Sequence, residues 1–419
     1  MDNNNKRWRI IGCLGFTQIT SWGSLFYAFA ILAPDLQAEL GWRADLTFGG
    51  FSWCLLVAGL AAAPAGILID RLGGRIMMSA GSAACGAGFV LLSSVQSPLE
   101  YYAAWTLLGI AMALVLYEAA FATINREFIE GARAGITTLT LFGGFASTVF
   151  WPLTLKLNEA IGWRETYFWY GMAQFALCLP LHMTLSARRI NAAGPIADSL
   201  RPGRSYSLKE AVRHPSFWML ACAFATNSFI FSALAVHMIP LFHKLGHPIA
   251  TVVLFAAFIG PMQVAGRIGE MLFARHMRPQ TSGKLTFAFL PAALLILLLM
   301  SMHLWAIAIY CMLYGLSNGI LTIVRGTVPQ AMFGRENYGA IAGALAGPTL
   351  IAKAAGPLAI AVLIELGFMP HALLTALLLL SVVSLGFYLA AVRRSDTVDT
   401  VERAGREPKA GDIKGDSQP

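Results

Sequence analysis

Gly66-Ile67-Leu68-Ile69-Asp70-Arg71-Leu72-Gly73-Gly74-Arg75 is the stretch on which the reading of this chain turns. An apolar run near 46–69 leads into it and another near 76–96 leads out. Each run is about as long as the roughly 20 residues that a helix needs to cross a bilayer core. Between them sit three charges, Asp70, Arg71 and Arg75, and the glycines that a sharp reversal of the chain requires. The pattern predicts two spanning helices joined by a tight turn at the water interface. Asp70 would end one helix beside the N-terminus of the next. There a carboxylate can pair with cationic side chains and with helix dipoles.

The same texture continues in both directions. Apolar runs fall near 10–32, 46–69, 76–96, 101–124, 135–155 and 166–186, then near 217–241, 249–274, 285–302, 304–324, 339–364 and 371–392. The 419 residues are 57% hydrophobic and only 12% charged. Soluble domains carry about 25% charged residues, so lipid is the expected solvent. The run at 10–32 follows Lys6, Arg7 and Arg9 as a signal peptide would, but it is longer than the usual 7–15-residue apolar region of such a peptide. It reads as a retained first helix.

Basic residues set the orientation. With the N-terminus inside, twenty-four Lys and Arg fall in inside segments, Arg325 and Arg335 among them. Only Arg43, Lys156, Arg164 and Lys244 fall outside. Both termini are therefore expected to be cytoplasmic in a multi-pass protein of the cell inner membrane. The net charge of +8 then points to anionic lipid headgroups rather than nucleic acid.

A polar stretch divides the chain into a six-helix half at 1–186, a cytoplasmic linker at 187–215, a second six-helix half at 216–392 and a disordered tail at 393–419. An echo supports duplication. Leu40-Gly41 recurs as Leu245-Gly246, Pro152-Leu153 as Pro357-Leu358, and Ile161-Gly162 as Leu366-Gly367, all offset by 205 residues. Parallel halves around a central site are a recurring transporter plan.

The loop at 66–75 resembles the signature loop of the major facilitator superfamily, with each fixed position present: Gly66, Asp70, Arg71, Gly73 and Arg75. A weaker copy follows at Gly266, Glu270 and Arg275. The resemblance implies an all-α membrane protein of twelve transmembrane helices in two pseudo-symmetric bundles. It also implies alternating access, with the motif residues serving the gate.

Charges within the runs narrow the function. On insertion scales each costs about 2.5–3.5 kcal/mol at a helix centre, so a partner or a function should offset it. Arg267 lies in the eighth run, with Gln263 and Glu270 on its helix face at spacings of four and three. Lys353 lies in the eleventh run and Glu118 in the fourth. Two cations against one acid leave a cavity short of negative charge, which an anionic cargo would supply. Arg offers a planar fork to a carboxylate and Lys a point charge. The alternative is that these groups pair with one another and lock helices. Glu118 is then either a proton carrier or the partner of one cation. Polar stripes at helical spacing suggest a lining: Thr17, Ser21 and Ser24 on the first span; Tyr310, Tyr314 and Asn318 on the tenth; Asn227 on the seventh.

The arginine–lysine pair also resembles the carboxylate-binding pair of the oxalate:formate antiporter group. The similarity extends to Ala352-Lys353-Ala354-Ala355-Gly356-Pro357. Ile259-Gly260-Pro261-Met262-Gln263-Val264-Ala265-Gly266-Arg267 is similar to a stretch of the related monocarboxylate transporters. There an aspartate stands in place of Gln263, and a proton-linked lysine in place of Tyr27. The resemblance implies a secondary active transporter for a small mono- or dicarboxylate, with Arg267 and Lys353 on the carboxylate. Gln263, Tyr27, Asn227, Tyr310, Tyr314 and Asn318 would complete the pocket, and protons or a counter-transported anion would provide the coupling.

Other classes are less well supported. An exporter of hydrophobic or cationic compounds would want Glu118 uncompensated. A sensor would want a folded output domain, and a membrane enzyme a clustered catalytic set. No GxxxxGK[ST] loop suggests ATP hydrolysis. His243 and His247 lack a third ligand nearby, and no cysteines have metal-site spacing. A monomer without metal or cofactor is expected.

Overall fold

The computed structural model describes residues 3–128, 131–185, 205–273 and 277–404. Among these residues every regular element is a helix. The first part of the chain forms α1 (Asn3–Trp22), a π-turn (Gly23–Tyr27), α2 (Ala28–Leu40), α3 (Ala44–Leu72), α4 (Gly74–Ser93), α5 (Pro98–Val115), α6 (Tyr117–Glu127), α7 (Ala132–Gly144), α8 (Ala146–Ala173), a second π-turn (Gln174–Cys178) and α9 (Leu179–Met183). The later part forms α10 (Leu208–Arg213), α11 (Pro215–Lys244), α12 (Ile249–Ala256), α13 (Ile259–Phe273), α14 (Pro279–Leu299), α15 (Leu304–Phe333), α16 (Tyr338–Glu365) and α17 (Pro370–Ala404).

Local chemistry explains the boundaries. Ser97 and Glu100 form a capping box with Pro98 at the first helical position of α5. Ser207 and Glu210 do the same for α10. These side chains satisfy amides that have no partner inside the helix. The echoed glycines have a structural counterpart. Gly41, Gly162, Gly246 and Gly367 all adopt left-handed φ, between 65° and 97°. Each member of the two repeated pairs therefore marks a reversal that a side chain would strain.

Nine helical stretches are long and apolar enough to cross a membrane, among the described residues. That is fewer than the twelve apolar runs, because several runs fold as broken helices. The first run is split by the π-turn at Gly23–Tyr27, and the eighth is divided between α12 and α13. One stretch, Ala132–Met183, is 52 residues long and contains the non-helical Gly162. It is too long for a single crossing.

The buried apolar side chains separate along the chain. One cluster draws all its members from 211–392. The other two draw from 10–185, joined only by Tyr338 and Ala342. The parts meet mainly where α3 packs on α16, with smaller contacts of α6 on α16 and of α7 on α13 and α15. The α3–α16 seam is made of small residues. A Cβ on Gly343 would lie 2.2 Å from the carbonyl oxygen of Ala62, and Gly59 and Gly347 also face each other. Such close backbone approach is how apolar helices associate in lipid, where hydrophobic burial gives no drive.

The expected linker at 187–215 lies largely outside the described residues, as does Arg275. Helix α17 runs through Arg393 to Ala404, into the stretch expected to lack structure, and 405–419 are outside the described residues.

Candidate functional site

The glycine-rich loop is fastened to α16. The Asp70 carboxylate accepts hydrogen bonds from the amides of Gly339 (3.0 Å) and Ala340 (2.7 Å), in the first turn of α16. It thus caps a helix N-terminus, where unpaired amides and the macrodipole both favour an anion. The approach depends on Gly66, one turn earlier, whose Cα faces the Gly339 carbonyl. Gly73 has φ 91° and turns the chain into α4. Arg71 and Arg75 are exposed. The cation that reaches the loop is Arg126, which donates to the backbone carbonyls of Ile69 and Asp70 rather than to the carboxylate.

The second copy of the motif works differently. Glu270 is 3% exposed and accepts from Arg133 of α7, at 3.1 Å from Nε and 2.5 Å from Nη2, with Thr137 Oγ1 at 3.3 Å. Glu270 is therefore taken by the opposite half and is not the partner of Arg267.

Arg267 points across the interface. It is 6% exposed, and its Nε has no hydrogen-bond partner among the described residues. Its Nη1 lies against Gly144, where an added Cβ would be only 2.2 Å away. Lys353 is half-buried, with its ammonium 4.0 Å from the ring centroid of Phe26 and 5.6 Å from that of Trp22. Lys353 meets one continuous aromatic wall, while Arg267 faces Gly144 of α7, next to Gly143, against which the Tyr117 hydroxyl packs. Trp22 packs on Tyr117 at 5.1 Å and on Phe26 at 5.6 Å, and Phe26 packs on Tyr27 at 5.5 Å. The π-turn widens the helix at Gly23–Tyr27, the segment that carries Phe26 and Tyr27. Such bulges often mark functional positions.

Glu118 is partnered by a residue that sequence reading placed in a loop. Arg325 lies inside α15, with Nη2 3.5 Å from Glu118 Oε1 and the two side chains 27% and 28% exposed. A narrow cavity beside the pair is lined by Phe121, Phe224, Tyr338 and Thr349 among others.

Several expected lining residues fall elsewhere. Tyr310 is fully buried and Tyr314 nearly so, both in the core of the later half. Tyr314 donates to the Phe231 carbonyl at 2.9 Å, and Tyr310 packs on Phe242. Asn227 is buried at 1% exposure. Asn318 and Gln263 are half-buried, and the Gln263 backbone packs on Gly319 of α15. The first-span stripe is used inside the early half: Thr17 meets His182 at 3.0 Å, and Ser21 and Ser24 each lie 3.4 Å from Gln174 Nε2. Helical spacing identifies a common face but not what that face meets.

Residues 11–357 match the model of the Major Facilitator Superfamily. The chain belongs to that superfamily. Membership assigns it to a transporter family and not to an enzyme family. The human organic anion transporter MFSD10 (TETRAN) has a similar fold, with a TM-score of 0.68 over 91% of this chain and 99% of that one at 16% identity. The Oxalobacter formigenes oxalate:formate antiporter is 24% identical over 52% of each chain. The Escherichia coli MFS-type transporter YhjX is 27% identical over 54% of this chain and 55% of its own. Human monocarboxylate transporter 7 is 25% identical over 41% of this chain and 33% of its own. The chain thus spans about half or less of the length of these curated relatives.

Proposed function

We propose that this superfamily member is a secondary active transporter for a small organic anion, a mono- or dicarboxylate, working by alternating access between two six-helix halves. One observation carries the reading. Lys353 sits on the Trp22–Phe26 face, Arg267 lies at Gly144 with its Nε unpartnered among the described residues, and Glu270 and Glu118 are engaged by other arginines. Glu270 is held by Arg133, and Glu118 by Arg325. Two deep cations without a dedicated anion are costly in the empty carrier, and a carboxylate cargo would offset that cost. The paired state of Glu118 weighs against export of a cation. The names of the antiporter, of MFSD10 and of the monocarboxylate transporter are in keeping with an anionic cargo.

We count twelve crossings by taking the broken runs as spans. The nine stretches become ten on dividing Ala132–Met183 at Gly162, and α1–α2 and α12–α13 complete the set. We place both termini and the Asp70 end in the cytoplasm on the distribution of Lys and Arg. Tyr27, edge-on to Phe26, would share the cargo carboxylate.

Uptake and counterflow in proteoliposomes with a carboxylate panel, with and without a pH gradient, test the reading. Arg267→Ala and Lys353→Ala should abolish carboxylate transport while the protein remains in the membrane. Full transport by both variants would remove the anion site.

A further inference from the structure

The Glu118–Arg325 pair joins the two halves, since α6 belongs to the first and α15 to the second. It is a sparse contact. One Nη2–Oε1 approach at 3.5 Å is the only hydrogen bond of Arg325 among the described residues, and it is not the bidentate fork that arginine makes with a committed carboxylate. Both side chains keep over a quarter of their surface open. Both line the narrow cavity beside them. Glu118 also has a second source of stabilisation. The chain breaks at Leu116, where ψ is −167°, and Glu118 lies in the first turn of α6. The helix dipole there favours its negative charge after Arg325 is withdrawn.

Resting on the carboxylate reading, we propose that Glu118 is the resident counter-anion of the empty carrier, and that a carboxylate of the cargo displaces it from Arg325. Arg325 is then a third cation in contact with substrate. The Glu118–Arg325 bridge is a clasp between α6 and α15 that cargo releases. Binding at Arg325 and separation of the halves become one event, because the ligand contacts the open and clasped arrangements unequally.

The test uses the full-length protein in detergent, with dissociation constants for oxalate, succinate and acetate read by calorimetry. Glu118→Gln frees Arg325 at almost unchanged shape. It should tighten binding of whichever of these acids the wild type binds by about tenfold, the size of one charge-assisted contact. Arg325→Gln should weaken it by a similar factor, and adding Glu118→Gln to Arg325→Gln should then change nothing. Arg325→Lys, which keeps the charge but loses the fork, serves if the glutamine variant does not fold, and should fall between. A folded Glu118→Gln protein that binds no more tightly than wild type overturns the clasp alone, provided Arg267→Ala and Lys353→Ala still abolish binding. If no acid binds the wild type, the clasp and the carboxylate reading fall together.

Discussion

Alanine at Gly66 is expected to open the Asp70 end of the carrier. The new Cβ would stand 1.9 Å from the Gly339 carbonyl oxygen and 2.4 Å from its carbonyl carbon. Neither is a side chain that can swing aside. Real Cβ contacts begin near 3.0 Å, so α3 and α16 must part by more than an ångström. Asp70 is one turn further along α3, and its bonds to Gly339 and Ala340 are 3.0 and 2.7 Å long. A retreat of that size takes both to or past the limit for a hydrogen bond. Hydrogen bonds to a charged group contribute about 1.5–3 kcal/mol each, so the closed arrangement loses up to about 3–6 kcal/mol against the open one. Helix flexing recovers part of this, yet about 1.4 kcal/mol is already a tenfold shift in population. The assay is labelling of a single cysteine at Ala342, which lines the cavity beside Glu118, on a background without other cysteines. In inside-out vesicles a membrane-impermeant maleimide should react at least about tenfold faster with the Gly66→Ala protein. Equal labelling rates and unimpaired transport would refute the view that this backbone contact controls the gate.

Three further outcomes follow from the geometry. Arg133→Gln leaves the 3%-exposed Glu270 without its ion partner and should cost about 3 kcal/mol, while the Arg133→Gln/Glu270→Gln double variant recovers part of that loss; additive melting shifts would contradict it. Phe26→Leu keeps bulk but removes the π-face under Lys353, an interaction worth up to about 2 kcal/mol when desolvated, and should raise the KM of the transported acid as much as Phe26→Ala does, while Phe26→Tyr restores it. At the end of α2, Arg164 and Trp163 donate to Glu39 at 2.7 and 2.6 Å, and the arginine contact foremost holds that carboxyl below its ordinary range. Its contribution is therefore present at neutral pH and lost as pH falls through the lowered value. The melting difference between wild type and Glu39→Gln should be seen at pH 7 and vanish in strong acid, and a difference that persisted there would exclude Glu39 as its source.

Much of this molecule was legible before any coordinates. The carrier family was readable from Gly66, Asp70, Arg71, Gly73 and Arg75, because a tight reversal between two apolar helices tolerates few residues at those places. The 205-residue echo pointed to Gly41, Gly162, Gly246 and Gly367, which all turn out left-handed. Arg267 and Lys353 stood out because a charge within an apolar run needs a reason. Arg325 did not, since the tenth run was closed at residue 324. The signal against that boundary was present in Val328, Met332 and Phe333, which continue the apolar face to the end of α15. Tyr310 and Tyr314 misled for the opposite reason. Their spacing is right for a pore stripe, yet they face Phe242 and Phe231.

Composition and short-range pattern were sufficient, on their own, for solvent, helix content, family and the identity of the costly charges. These are properties of a residue and its near neighbours along the chain. Which acid neutralises which base was decided only by the tertiary fold. Arg133 meets Glu270 across 137 residues, and Arg325 meets Glu118 across 207. Coulomb energy depends on distance in space, and distance in space between separate helices is set by packing that no local window contains.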